Sequence, residues 1–106
     1  VRADGLLFVS GQSGTDPETG DATGPSFEVQ ARQAFKNLDA VLRAGGSRPG
    51  LVVNTTVLVA DVSHFVELNR LFSEFFPDNP PARMTMTVPL PKGLLISIGS
   101  LPAIEG

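Results

Sequence analysis

The spacing of apolar residues changes period several times along the chain, and each change predicts an element. Phe27, Ala31, Ala34, Phe35, Leu38, Val41 and Leu42 recur at helical spacing, while Glu28, Arg32, Lys36, Asp39 and Arg43 fall largely elsewhere, so an amphipathic helix is predicted. Gly45-Gly46 ends it. A second apolar stripe, Phe65, Leu68, Leu71, Phe72, Phe75 and Phe76, predicts another helix, with Asp61 or Ser63 as its cap and Pro77 as its stop. Between them, Leu51 to Ala60 is rich in Val and Thr and free of Gly and Pro, which reads as a strand with both faces substantially covered.

Strict alternation follows the stiff Pro80-Pro81 pair: Arg83, Thr85 and Thr87 share one face, and Met84, Met86 and Val88 the other. Leu94 to Leu101 reads as a last strand, with Ser97 and Gly99 on the face of Leu95 and Leu101. At the other end, Asp4-Gly5 marks a hairpin feeding a strand over Leu6 to Ser10. Gly11 to Pro25, rich in Gly, Ser, Thr, Asp and Pro, reads as a surface loop of the kind that borders sites. The order is β, β, helix, β, helix, β, β, an α+β domain with two helices on one face of a mixed sheet. The other face carries Val, Leu and Ile beside short polar side chains only, and this predicts a homo-oligomer.

At 106 residues the chain makes one domain, 1–106. Eight Lys and Arg against eleven Asp and Glu give a net charge of -3, which disfavours a nucleic-acid backbone as partner. The absence of Cys removes disulfides and thiolate catalysis and is compatible with a reducing, cytoplasmic setting; a single His starves any His-rich zinc site. No apolar run approaches the roughly 20 residues that span a bilayer, and no signal peptide is visible. The first residue is Val1 rather than Met, so a preceding N-terminal piece is expected outside the given sequence.

Arg83 is the strongest candidate for chemistry. It opens a strand whose face continues with hydroxyl residues rather than carboxylates, and its planar fork holds a carboxylate by two parallel charge-assisted hydrogen bonds. Its plainer reading is a surface or intersubunit ion pair. Ser10-Gly11-Gln12-Ser13-Gly14 ends a strand in small residues and could turn backbone N–H groups toward a ligand, but it matches neither a P-loop nor a dinucleotide motif and is otherwise a plain turn. A serine nucleophile at Ser10 or Ser13 lacks a base, because the only histidine, His64, reads as a capping or surface residue. Asp16, Glu18 and Asp21 lack an EF-hand pattern and read as solvated loop charges; the Phe and Met residues read as core.

Val9-Ser10-Gly11-Gln12, Asp16-Pro17-x-Thr19-Gly20, Gln33-Ala34-x-x-Asn37-Leu38, Thr55-Thr56-Val57, Asn69, Phe75-Phe76, Pro81-Ala82-Arg83 and Leu90-Pro91-Lys92-Gly93 follow one another in an order that resembles the reactive intermediate deaminase family, RidA or YjgF. The likeness runs over nearly the whole chain. It implies a chorismate-mutase-like fold and a homotrimer with a central barrel, helices outside and ligand clefts between neighbouring subunits. It also implies hydrolysis of 2-imino or enamine acids, such as 2-iminopropanoate and 2-iminobutanoate, to the 2-oxo acid and ammonia without metal or organic cofactor. By position, Arg83 matches the arginine that grips the substrate carboxylate, Thr85 a ligand contact two residues on, Ser10 and Gly11 the cleft-lining strand end, and Asn69 the helix asparagine near the site. Ser97 stands where active members carry the Glu that handles the hydrolytic water, and Gly99 at the next position on that face, also often Glu. A serine can orient water but is no base near neutral pH. Two readings therefore stand: an imine deaminase using Arg83 and Ser97, or a non-catalytic 2-oxo acid binding module that lost the chemistry. A protein-interaction or ribonuclease role has no sequence support beyond the family.

Overall fold

The computed structural model describes residues 1–104. Six strands and two helices run in the order β1 (Arg2–Ala3), β2 (Leu6–Leu7), β3 (Val9–Ser13), α1 (Phe27–Ala44), β4 (Val52–Val59), α2 (Phe65–Phe75), β5 (Ala82–Thr87) and β6 (Ile96–Pro102). The main sheet has the order β3-β6-β4-β5; β6 pairs antiparallel with β3 and β4, and β4 pairs parallel with β5. A parallel pair needs a crossover, and α2 supplies it. Both helices lie on one face of this mixed sheet. Among the described residues no helix is long and apolar enough to cross a membrane.

The helices begin and end as their sequences direct. The Ser26 hydroxyl accepts a hydrogen bond from the Val29 amide at the start of α1, and Gly45 and Gly46, the latter at φ +83°, close it. Gly45 also presses on Leu7, where an added Cβ would overlap the leucine side chain. Asp61 caps the second helical segment by accepting from the Ser63 amide at 2.8 Å, but Val62–His64 is a 3-10 turn and α2 proper starts only at Phe65. His64 makes no capping bond; its ring stacks on Phe27 at 4.4 Å. The apolar stripes meet the sheet, with Leu38, Leu42, Leu68, Val57, Val59, Ile96 and Ile98 all fully buried. Val41 is the exception in the α1 stripe, being 36% exposed.

Five expectations need correction. The strand expected over Leu6 to Ser10 is two strands: β2 pairs with β1 across the Asp4-Gly5 turn, and β3 pairs with β6. The chain changes partner at exposed Phe8, and the loop expected from Gly11 starts only after Ser13, because β6 pairs with Gln12 and Ser13. The last strand runs over Ile96–Pro102 rather than from Leu94, whose amide closes a turn on the Pro91 carbonyl. The second face of β4 is not covered in this chain: Asn54 and Thr56 are exposed there. Finally, Met84 and Met86 are not core but 59% and 43% exposed. The pairing explains this inversion. Arg83, Thr85 and Thr87 of β5 lie beside Thr55, Val57 and Val59 of β4, which face the helices, so the methionines must point the other way.

Candidate active site

Arg83 sits near the start of the edge strand β5, on the helix side of the sheet. Its Nη2 donates to Asn69 Oδ1 at 2.7 Å, and its Cζ lies 4.9 Å from the centre of the Phe72 ring. Asn69 and Phe72 are three residues apart on α2 and so present neighbouring side chains. Among the described residues no carboxylate pairs with Arg83. The guanidinium is held by a neutral acceptor and an aromatic ring, and its charge is left uncompensated. Thr85, two residues on along the same face, carries a buried hydroxyl with no hydrogen-bond partner.

Ser10, Gly11 and Ser97 gather on the other side. Val9 pairs with Ser100 and Gln12 with Ile98, so Ser10 and Gly11 form a bulge opposite Gly99. A Cβ at Gly11 would collide with the Ser97 hydroxyl, which places that hydroxyl directly beneath the glycine. Ser97 pairs with Leu58, whereas Arg83 pairs with Thr55, and adjacent positions of β4 point to opposite faces. Within one chain, therefore, Arg83, Asn69 and Thr85 form one group and Ser10, Gly11 and Ser97 a second, with the sheet between them. The open face around Ser97 also bears a cavity of about 210 Å³ bordered by Asn54, Thr56, Gly99 and Leu101.

Gln30 holds this scaffold and carries no signal as a motif. It is 1% exposed on the buried side of α1. Its Nε2 donates to the carbonyls of Gly24 at 2.7 Å and Gly93 at 3.0 Å, and its Oε1 accepts from the Leu95 amide at 2.8 Å. The helix thereby fixes both the end of the long loop and the entry to β6. Asn37 does the same for the start of that loop, donating to the carbonyls of Ser13 and Thr15 at 2.9 Å each. A polar residue amid Phe27, Ala31 and Ala34 was the available clue to Gln30.

The other charged residues serve the exterior. Asp16 accepts from the Glu18 amide in its own turn. Arg32 and Arg70 link Glu28, Glu67 and Glu74 across α1 and α2. The Arg32 hydrogen bond holds the Glu28 carboxyl below its ordinary range, and Glu28 in turn raises the Arg32 guanidinium. Asp61 is lowered by its bonds from the Ser63 backbone and side chain.

Comparison with known proteins decides the family. Residues 1–102 match the family model described as Endoribonuclease L-PSP. A human protein named 2-iminobutanoate/2-iminopropanoate deaminase is 39% identical over 107 residues, covering 100% of this chain and 77% of its own length. The chain belongs to the RidA/YjgF family. A RutC family protein of Sinorhizobium fredii is 41% identical over 92% of this chain and 79% of its own. The crystal structure of RidA from an Antarctic Psychrobacter superposes with a TM-score of 0.93 at 36% identity, covering 98% of this chain and 85% of that one. The yjgF gene product of E. coli gives 0.90 at 32% identity, covering 99% and 85%. The RidA resemblance in the sequence and its fold, two helices on a mixed sheet, are thereby established. Ser97 and Gly99, the two positions where the resemblance leads one to expect Glu, both lie on the open face, Ser97 beneath Gly11 and Gly99 beside Val9 and Thr56, away from Arg83.

Proposed function

We propose that this RidA-family protein hydrolyses small 2-imino or enamine acids to the 2-oxo acid and ammonia, with Arg83 as the carboxylate anchor. The observation that carries the reading is the guanidinium seated on Phe72 and Asn69 with no carboxylate of its own among the described residues. The sheet separates the two residue groups, so the reading requires two copies of the chain: Arg83, Asn69 and Thr85 at the edge strand of one, and Ser10, Gly11 and Ser97 on the open face of its neighbour. The uncovered face, with Met84 and Met86 exposed, supports such an association, and we take the assembly to be the homotrimer of the family.

In this arrangement Arg83 fixes the carboxylate and thereby the adjacent imine carbon. The Ser97 hydroxyl and backbone groups near Gly11 orient a water whose oxygen adds to that carbon. The C–N bond of the resulting carbinolamine then breaks, ammonia leaves with the protons supplied by the water, and the carbonyl of the 2-oxo acid forms. A hydroxyl in place of a carboxylate forgoes general-base assistance worth about 10²–10⁴ in rate, so turnover rests chiefly on orientation by Arg83. Imines generated in situ, followed as release of the 2-oxo acid, test the reading. Wild type accelerates their hydrolysis and Arg83→Ala does not, while light scattering gives three chains for both. No acceleration by wild type with several imino acids would refute it, and Arg83-dependent binding of pyruvate in that case would leave a binding module.

A further inference from the structure

Arginine has a long, flexible side chain, and an anchor of that kind works only if its fork is already aimed. Asn69 is exposed and supplies one hydrogen bond, to Nη2. That leaves rotation about this bond unrestrained. The Phe72 ring supplies the missing restraint, because the guanidinium carbon lies 4.9 Å from its centre, inside the range of about 6 Å over which an aromatic face attracts a cation.

Phe72 is itself packed into the core. It is 6% exposed and packs against Phe76 at 4.8 Å and edge-on to Phe35 at 6.4 Å. Phe35 and Phe76 contact Phe75 in turn, each at 4.8 Å, so the platform is tied into a cluster spanning α1 and the end of α2. We infer that Phe72 is a positioning residue for Arg83, holding the guanidinium plane so that its remaining donors meet a small planar carboxylate. The inference rests on the reading of Arg83 as a carboxylate anchor. An acidic residue in the place of Phe72 would hold the arginine as firmly but would compete with the ligand for its charge. The ring stabilises the cation without neutralising it.

The test uses the intact assembly with pyruvate as the probe. Calorimetric titration of Phe72→Leu gives a Kd weakened about 2- to 5-fold, the range of a cation–π contact, whereas Phe72→Tyr, which keeps the ring, binds like wild type. The second readout is the proton spectrum of Arg83: its Cδ protons lie upfield of random-coil positions in wild type and Phe72→Tyr through the ring current, and move back in Phe72→Leu. A ring that served only the core would lower the melting temperature of Phe72→Leu and leave its Kd unchanged, and that result overturns the inference. Random-coil Arg83 shifts in wild type overturn it even if Phe72→Leu fails to fold. If wild type binds no pyruvate, or Arg83→Ala binds it equally well, the anchor reading fails and the inference falls with it; an upfield-shifted Arg83 in that case identifies the anchor reading as the part at fault.

Discussion

Replacing Gln30 with leucine removes one side chain and orphans three backbone groups. Leucine has a similar volume although it branches one bond earlier, so the loss is chiefly of hydrogen bonds. The Gly24 and Gly93 carbonyls and the Leu95 amide all lose a partner at 2.7–3.0 Å. An unsatisfied buried group costs about 1–3 kcal/mol. These bonds are only partly buried, water reaches some of the groups, and the lower end applies, giving about 3 kcal/mol in total. For a domain near this size each kcal/mol lowers Tm by about 4–8 °C, so Gln30→Leu melts about 12–24 °C below wild type. Association adds to apparent stability by mass action, so scanning calorimetry must compare the two at one protein concentration. Hydrogen exchange localises the effect: the Leu95 amide, protected in wild type, exchanges rapidly in the variant. A fall of less than about 4 °C, near 1 kcal/mol, with Leu95 still protected, would refute the assignment of Gln30 as the clamp on β6.

Three further outcomes are expected. In Gly14→Ala the new Cβ would lie 2.6 Å from the Gln30 Cα, backbone that cannot step aside, so the variant loses stability and the Ser13–Thr15 segment moves; a wild-type urea midpoint would contradict this. Asp61 is lowered in the folded state by its Ser63 bonds, so its contribution is full above the ordinary aspartate value near about pH 4 and disappears as pH falls through the lower folded value. Asp61→Asn is accordingly less stable than wild type at pH 7 and converges on it in strong acid, which melting curves against pH will check. Ser97→Glu supplies a base on the face of Gly11, and kcat rises by about 10²-fold with an acidic limb in the pH–rate profile. Unchanged turnover in a correctly folded Ser97→Glu would argue against the proposed place of the water.

The helices were legible because their apolar residues recur at a period no strand can use, and because Gly45, Asp61 and Pro77 punctuate them. The strand over residues 83–88 shows the limit of such reading. Alternation separates Arg83 and Thr85 from Met84 and Met86, but only pairing with Thr55 and Val57 decides which set faces the helices. Hydrophobicity favoured the methionines, and register overruled it. Arg83 itself was legible as a cation without a local carboxylate, and Asn69, fourteen residues away, only through the family resemblance; Phe72 was not legible, because it carries the same apolar signature as any core position. The separation of Arg83 from Ser97 depends on two strand registers at once, and a motif comparison treats both as members of one site.

The most direct measurement is a crystal of the assembly soaked with a small 2-oxo acid. The account predicts the ligand carboxylate on both free edges of the Arg83 fork, with Phe72 and Asn69 still in place and the ligand carbonyl facing Ser97 and Gly11 of the neighbouring copy. A ligand bound away from Arg83, or an Arg83 that in the assembly is paired with a carboxylate of the neighbouring chain, would contradict it.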